Sequence, residues 1–314
     1  MTVRLAILGA TGHIGKGLSA EFVHHSDMHL ILYARDLPAL EAHLAKLGDN
    51  AANVDVLDIA DFGKAPCDVV VNAIGAGDPA RLAALAQGIF RLTETFDNLV
   101  LDYLQANPET LYLNLSSGAA YGSGFSIPVG LETEFSINVN DIKASQHYGM
   151  AKLYAEVKHR AHENLNIVDL RVFSYFSRFI DLSGRFFMAD LTRCLINGET
   201  LVTDGSDLLR DYIVPADLAA MIHRCIERWT IRDSRPLNSA LDCYSGAPVG
   251  KFELIDAVHD AFKLRSRVDT SADTLTTTGP KNQYFSTYHL AADWGYKPIY
   301  TSKQGVLNEL HAML

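Results

Sequence analysis

The sequence predicts an α/β protein built on a doubly wound parallel sheet with a smaller C-terminal substrate-binding lobe. Three observations carry this. Short β-type runs alternate with longer helical patterns through the first half, which implies crossover connections between parallel strands. Residues 67–74 (CDVVVNAI) form a mainly apolar run, the pattern of a strand covered on both faces. The first strand also runs into a glycine-rich turn that opens a helix.

In order, Val3–Leu8 reads as a buried strand and residues 14–24 as a helix. Residues 29–33 form a second strand, and 37–47 a helix with Pro38 tolerated in its first turn. The strand at 67–74 precedes a long helical region over 81–105, and 111–115 is the next buried strand. Helix recurs over 148–164 and strand over 167–173. Beyond Phe173 the rhythm gives way to loops, single helices and short extended pieces, as in a lobe that closes over a site. Residues 1–174 are therefore expected to bind a dinucleotide. Residues 175–314 are expected to form mainly the substrate lobe, with some segments returning to the first unit.

The composition is that of a globular chain, 48% hydrophobic and 20% charged. The formal charge of −10, from 27 basic and 37 acidic residues, argues against nucleic acid or an anionic membrane as partner. Four cysteines, Cys67, Cys194, Cys225 and Cys243, make no CxxC pair, which points to reduced thiols in a cytoplasmic protein. The start lacks the features of a signal peptide, and no run is long enough to span a membrane. Twelve histidines show no ligand spacing, so no metal is expected.

Chemistry gathers at the ends of strands. Gly9-Ala10-Thr11-Gly12-His13-Ile14-Gly15 lies between a strand and a helix, where backbone can approach a pyrophosphate and the helix directs free N–H groups at it. The second strand ends in Ala34-Arg35-Asp36. Arg35 suits a 2′-phosphate and favours NADP, while Asp36 could serve a ribose and leaves NAD possible. Asp58 could accept from an adenine amino group or cap a turn. Ile59 beside it, and Ala73-Ile74-Gly75 after the apolar strand, complete the candidate cofactor-binding set.

Tyr148 and Lys152 have the Tyr-x-x-x-Lys spacing that shares one helix face. An ammonium there favours the phenolate and can hold a nicotinamide ribose, while the phenol exchanges a proton with a carbonyl or alcohol. The strand ending Ser116-Ser117-Gly118 brings hydroxyls to the carboxyl edge of the sheet, where doubly wound folds bind ligands.

These motifs resemble the extended short-chain dehydrogenases/reductases of the NAD-dependent epimerase/dehydratase family. So do Leu170-Arg171-Val172-Phe173-Ser174, Arg210-Asp211-Tyr212-Ile213-Val214 with Asp217, and Trp294-Gly295-Tyr296-Lys297-Pro298. The resemblance implies a Rossmann-type fold and a nucleotide-linked sugar bound between the lobes. It implies Ser117, four residues before Tyr121, as the catalytic hydroxyl, and Arg210 against the substrate diphosphate. It also implies a homodimer through the helices near 81–105 and 148–164, with Leu92, Phe96, Leu99 and Tyr103 either in that seam or on the protein's own sheet.

Departures from the family pattern narrow the reaction. Sugar dehydratases carry Asp-Glu where this chain has Gly118 and Ala119, which disfavours dehydration. Phe173-Ser174-Tyr175-Phe176 replaces the Phe-Asn-x-x-Gly of many epimerases, which suggests an altered pocket. With Arg35, these points favour an NADP-dependent ketoreductase acting on a nucleotide-linked keto-sugar, Tyr148 donating the proton. An epimerase with bound NAD is the alternative. A non-catalytic NADP sensor or scaffold is a further one, disfavoured because Ser117, Tyr148 and Lys152 are all retained.

Overall fold

The computed structural model describes residues 2–48, 53–75, 88–122, 124–231, 235–269 and 282–314. The N-terminal part of the expected long helix, 81–87, lies outside them, as does Ser123. Strands β1 (Val3–Leu8), β2 (Met28–Ala34), β3 (Val54–Asp58), β4 (Val69–Asn72), β5 (Leu111–Ser117) and β6 (Asn166–Val172) form one parallel sheet. Helices α1 (His13–Phe22), α2 (Leu37–Leu44), α3 (Gly88–Ala106) and α4 (His147–Ala161) belong to this half.

Along each central strand, side chains alternate between two apolar layers. Leu5, Ile7, Leu30, Leu32, Val69, Val71, Leu111 and Leu113 enter one layer. Ala6, Leu8, Ile31, Tyr33, Val70, Tyr112 and Ile167 enter the other, with Val100, Leu101 and Leu104 of α3. This double burial is why β4 carries three consecutive valines, Val69, Val70 and Val71.

The second half supplies β7 (Ser174–Tyr175), α5 (Phe187–Asn197), β8 (Thr200–Thr203), β9 (Leu209–Arg210), β10 (Tyr212–Ile213), α6 (Pro215–Thr230) and β11 (Asn238–Asp242). After these come β12 (Val249–Gly250), α7 (Lys251–Phe262), β13 (Arg265–Val268), β14 (Gln283–Tyr284) and α8 (Ser302–Met313). Strand β11 returns to the first sheet and completes seven strands in the order β11-β6-β5-β4-β1-β2-β3. A separate core, including Phe176, Met188, Leu191, Leu254, Val258, Val306 and Leu310, holds the C-terminal lobe.

Two segments that resemble the family tie this lobe down. Asp211 accepts from Ser245 N (3.1 Å) and Ser302 Oγ (3.0 Å). Asp217, in the first turn of α6, accepts from Ile299 N at 2.7 Å, beside the Trp294–Pro298 motif. Thr301 and Gln304 cap α8 reciprocally, the pattern that stops a chain fraying at a helix start.

α4 docks on the sheet in an unusual way. Its buried side includes Lys152, Glu156 and His159, at i, i+4 and i+7, with small residues between. Beneath it lie two polar rows across paired strands, two residues apart. Asn72, Asn114 and Asp169 form one, and Ser116, Arg171 and Asp242 the other. His159 Nε2 meets Asp97 (2.7 Å) and Nδ1 meets Asp169 (2.8 Å). Tyr112 donates to Asp97 (2.9 Å) and accepts from Asn72 (3.1 Å).

Candidate active site

The turn after β1 is tight enough to require glycine at two of its positions. Gly9 has φ +81°, and a Cβ on Gly15 would stand 2.3 Å from Gly9 O, so the helix can start this close to the strand only with glycine there. No side chain caps the N-terminus of α1 at Gly12. The His13 ring packs edge-on against Tyr175, centroids 4.9 Å apart, while Thr11 is half-buried and Ile14 leans on the core.

At the end of β2, Arg35 is exposed. Asp36 accepts from Ala39 N (3.0 Å) and caps α2. Asp58 likewise caps a 3₁₀ turn through Ala60 N (2.8 Å), the turn-forming reading of that residue. Ile59, Ala73 and Ile74 pack at the edges of the two apolar layers. A Cβ on Gly75 would lie 3.9 Å from Lys152 Nζ, so the turn after β4 meets the Tyr-x-x-x-Lys helix.

Lys152 is only 6% exposed, and its Nζ donates to Leu115 O at 2.8 Å. The same Nζ is 6.0 Å from the centroid of the Tyr148 ring. One donor of the ammonium is thus tied to β5, with two remaining for other acceptors. Tyr148 is half-buried against Ile89, Phe90, Leu92 and Ala151. Its helix starts flush against the turn after β5, where a Cβ on Gly149 would come 2.4 Å from Ala119 O.

Ser117 Oγ accepts from Ala119 N (3.2 Å) and lies 3.4 Å from the hydroxyl of Tyr284 on β14. Burial raises the Tyr284 phenol to about 12, so it stays protonated at neutral pH. The Arg210 guanidinium lies 5.6 Å from the Tyr284 ring centroid and donates to Leu209 O (3.1 Å). Burial lowers its pKa. The fold thus gathers Gly75, Lys152 and Tyr148 on one side and Ser117, Tyr284 and Arg210 on the other. Among the described residues no hydrogen bond joins Ser117 to Tyr148.

Sequence reasoning missed Tyr284, Glu156 and Asp242. Ser116 Oγ donates to Glu156 (2.5 Å), which receives a bidentate pair from Arg171, Nε to Oε1 at 3.1 Å and a terminal nitrogen to Oε2 at 2.6 Å. Arg171 also donates to Tyr121 Oη (2.9 Å) and Asp242 (3.3 Å), and Tyr121 donates to Asp242 (2.8 Å). The available signal was Arg171 itself, a second charge beside Asp169 inside a buried strand, together with a glutamate one turn beyond Lys152. Of the expected seam residues, Tyr103 is committed to its own sheet, since its hydroxyl accepts from Cys67 N (3.1 Å). Among the described residues no helix is long and apolar enough to cross a membrane, and no cluster of three or more His, Cys, Asp or Glu could hold a metal ion.

Residues 5–238 match the NAD dependent epimerase/dehydratase family, and the chain belongs to it. Among solved structures, it is similar to a UDP-glucose-4-epimerase from Stenotrophomonas maltophila with bound NAD and formylated UDP-arabinopyranose. That match has a TM-score of 0.79 and 17% identity, covering 99% of this chain and 98% of the other. A UDP-glucuronic acid 4-epimerase from Bacillus cereus, in complex with UDP-glucuronic acid and NAD, matches at 0.78 and 16% over 99% and 98%. A dTDP-glucose 4,6-dehydratase from Bacillus anthracis in complex with NAD matches at 0.74 and 13% over 99% and 96%. A comparison with curated protein sequences finds no match.

Proposed function

We propose that this chain is a nucleotide-sugar epimerase that uses a nicotinamide dinucleotide. The observation that carries the reading is the meeting of Gly75, Lys152 and Tyr148 beside the Ser117 edge of β5. Gly118 and Ala119 provide no acid or base for dehydration. When bound, the dinucleotide supplies reversible two-electron oxidation of a sugar carbinol.

The protein's own groups do the rest. The Gly9–Gly15 turn and the α1 N-terminus receive the pyrophosphate. Arg35, Asp58 and Ile59 flank the adenosine half, and Ala73, Ile74 and Gly75 the nicotinamide half. Lys152 holds the nicotinamide ribose with the donors not tied to Leu115. Tyr148 takes the carbinol proton and returns it after the sugar has presented its other face. Ser117 bonds the reacting oxygen, and Arg210 the diphosphate. Residues 1–174 thus serve mainly the cofactor and 175–314 mainly the sugar nucleotide, and we place the protein in the cytoplasm. A homodimer through α3 and α4 fits the exposed Tyr154 and Val157 of α4.

Reduction of a nucleotide-linked keto-sugar with NADP is the second reading. It is favoured by Arg35, which stays exposed at the end of β2 while the nearby carboxylates of Asp36 and Asp58 cap turns. The test is incubation of purified protein with UDP-glucose, UDP-galactose and UDP-glucuronic acid without added reductant, followed by proton NMR. Inversion at one sugar carbon supports epimerisation. No inversion, with NADPH consumed on a UDP-4-keto-sugar, replaces it by the ketoreductase.

A further inference from the structure

We propose that Glu156 and Arg171 are a positioning pair that fixes the Lys152 ammonium against the end of β5. Lys152 and Glu156 lie one helical turn apart on α4 and reach the same strand end by different routes. Lys152 bonds the main-chain oxygen of Leu115, and Glu156 bonds the side chain of Ser116. The next residue is Ser117. Because strand side chains alternate, Ser116 faces α4 while Ser117 faces Tyr284. The bond that holds Ser116 therefore also sets the level and rotation of the strand edge that presents Ser117.

Arg171 makes this cross-link directional. In the parallel register it is the neighbour of Ser116 on one side and of Asp242 on the other. Its fork grips both oxygens of Glu156, and its remaining nitrogen reaches Tyr121 and Asp242. Ser286 Oγ donates to Asp242 as well, so the segment that carries Tyr284 is fastened to the same hub. Glu156 and Asp242 are 3% and 0% exposed. Desolvating charges is expensive, and apolar side chains of similar volume usually serve stability as well or better. What the ionic arrangement adds is bond direction. An apolar helix face could slide or roll on the sheet, whereas this one is fixed at Leu115 and Ser116.

The inference rests on the reading of Lys152 as a ribose ligand, and its test uses binding rather than turnover. Glu156→Asp keeps the charge pair but withdraws the carboxylate by one methylene. Ser116→Ala removes only the strand bond and leaves the ion pair intact, so it remains informative should the first variant fold poorly. Each is titrated calorimetrically with NAD+ and NADP+, and with ADP, which lacks the second ribose.

The expected result is a loss of dinucleotide affinity of about threefold to tenfold, the worth of one misplaced hydrogen bond, with ADP affinity changed less than twofold. Proportional loss for dinucleotide and ADP, or no loss in either, overturns the pair as a positioning device and leaves it a structural one. Wild-type protein that binds neither dinucleotide overturns both this and the proposed function. Tight dinucleotide binding without conversion of any UDP-sugar overturns the epimerase reading alone.

Discussion

Stability between pH 7 and 9 should be governed by His159. Burial by itself would lower the pKa of this imidazole, but the carboxylates of Asp169 and Asp97, one on each ring nitrogen, outweigh it and raise the pKa from 6.5 to about 9. A group whose folded pKa lies above its unfolded value contributes stability that is complete below the unfolded value and lost as pH rises through the folded one. Between pH 6.5 and about 9 the folded protein holds a proton that the unfolded chain releases. The slope is then about −1.4 kcal/mol per pH unit, or about 3 kcal/mol across the window.

Neighbouring effects fall outside this range. His43 and His223 are shifted downward by burial, so their titration ends near neutrality. The buried Cys67 thiol, pushed up by burial to about 11, loses its contribution only above the ordinary thiol value of 9.0. Urea unfolding of wild type and His159→Gln at half-unit steps from pH 7 to 9 measures the slope. The variant should be less stable at pH 7 by about 3 kcal/mol and nearly flat with pH, so that the curves converge near pH 9. Parallel curves would falsify the assignment of a buried imidazolium.

Tyr148→Phe should lower turnover by about 10²–10⁴-fold with dinucleotide affinity nearly unchanged, because only the proton carrier is lost. Steady-state rates and calorimetry on the same preparation separate the two. Gly15→Ala should cost about 1–3 kcal/mol of stability and weaken dinucleotide binding more than tenfold. Its Cβ would stand 2.3 Å from Gly9 O, and the strand-to-helix turn has to open to admit it; thermal unfolding and a titration read both. Arg35→Ala should lower NADP+ affinity by about tenfold and leave NAD+ affinity alone. Equal effects on the two would remove Arg35 as a phosphate reader.

What could be read in the sequence was whatever depends on near neighbours. The Gly9–Gly15 turn and the Tyr148–Lys152 spacing are local patterns, and the structure brings both to the carboxyl edge of the sheet. The apolar run of β4 announces two-sided burial within a few residues. Local reasoning also weighed Asp58 as a turn cap, which is the bond it makes. By contrast, the partners of Arg171 are 15, 50 and 71 residues away in sequence, and only strand register brings them together. Tyr284 reaches Ser117 across 167 residues, from a two-residue strand with no periodicity to detect. A helix buried through Lys152, Glu156 and His159 likewise defies the apolar stripe that usually marks an inward face.

The pairing of β11 with β6 has a consequence for how the chain comes to be folded during synthesis. Residues 166–172 leave the ribosome with one sheet edge open, and the strand that covers it ends at Asp242. Throughout that interval the nascent first half presents an unpaired edge flanked by Ile167, Val168 and Leu170, the kind of surface that templates aggregation. Arg171 is also a charge awaiting Asp242 during that time. A fragment ending at 174 would be left permanently in this condition. Its solubility in a truncation series should rise sharply once the chain extends past Asp242.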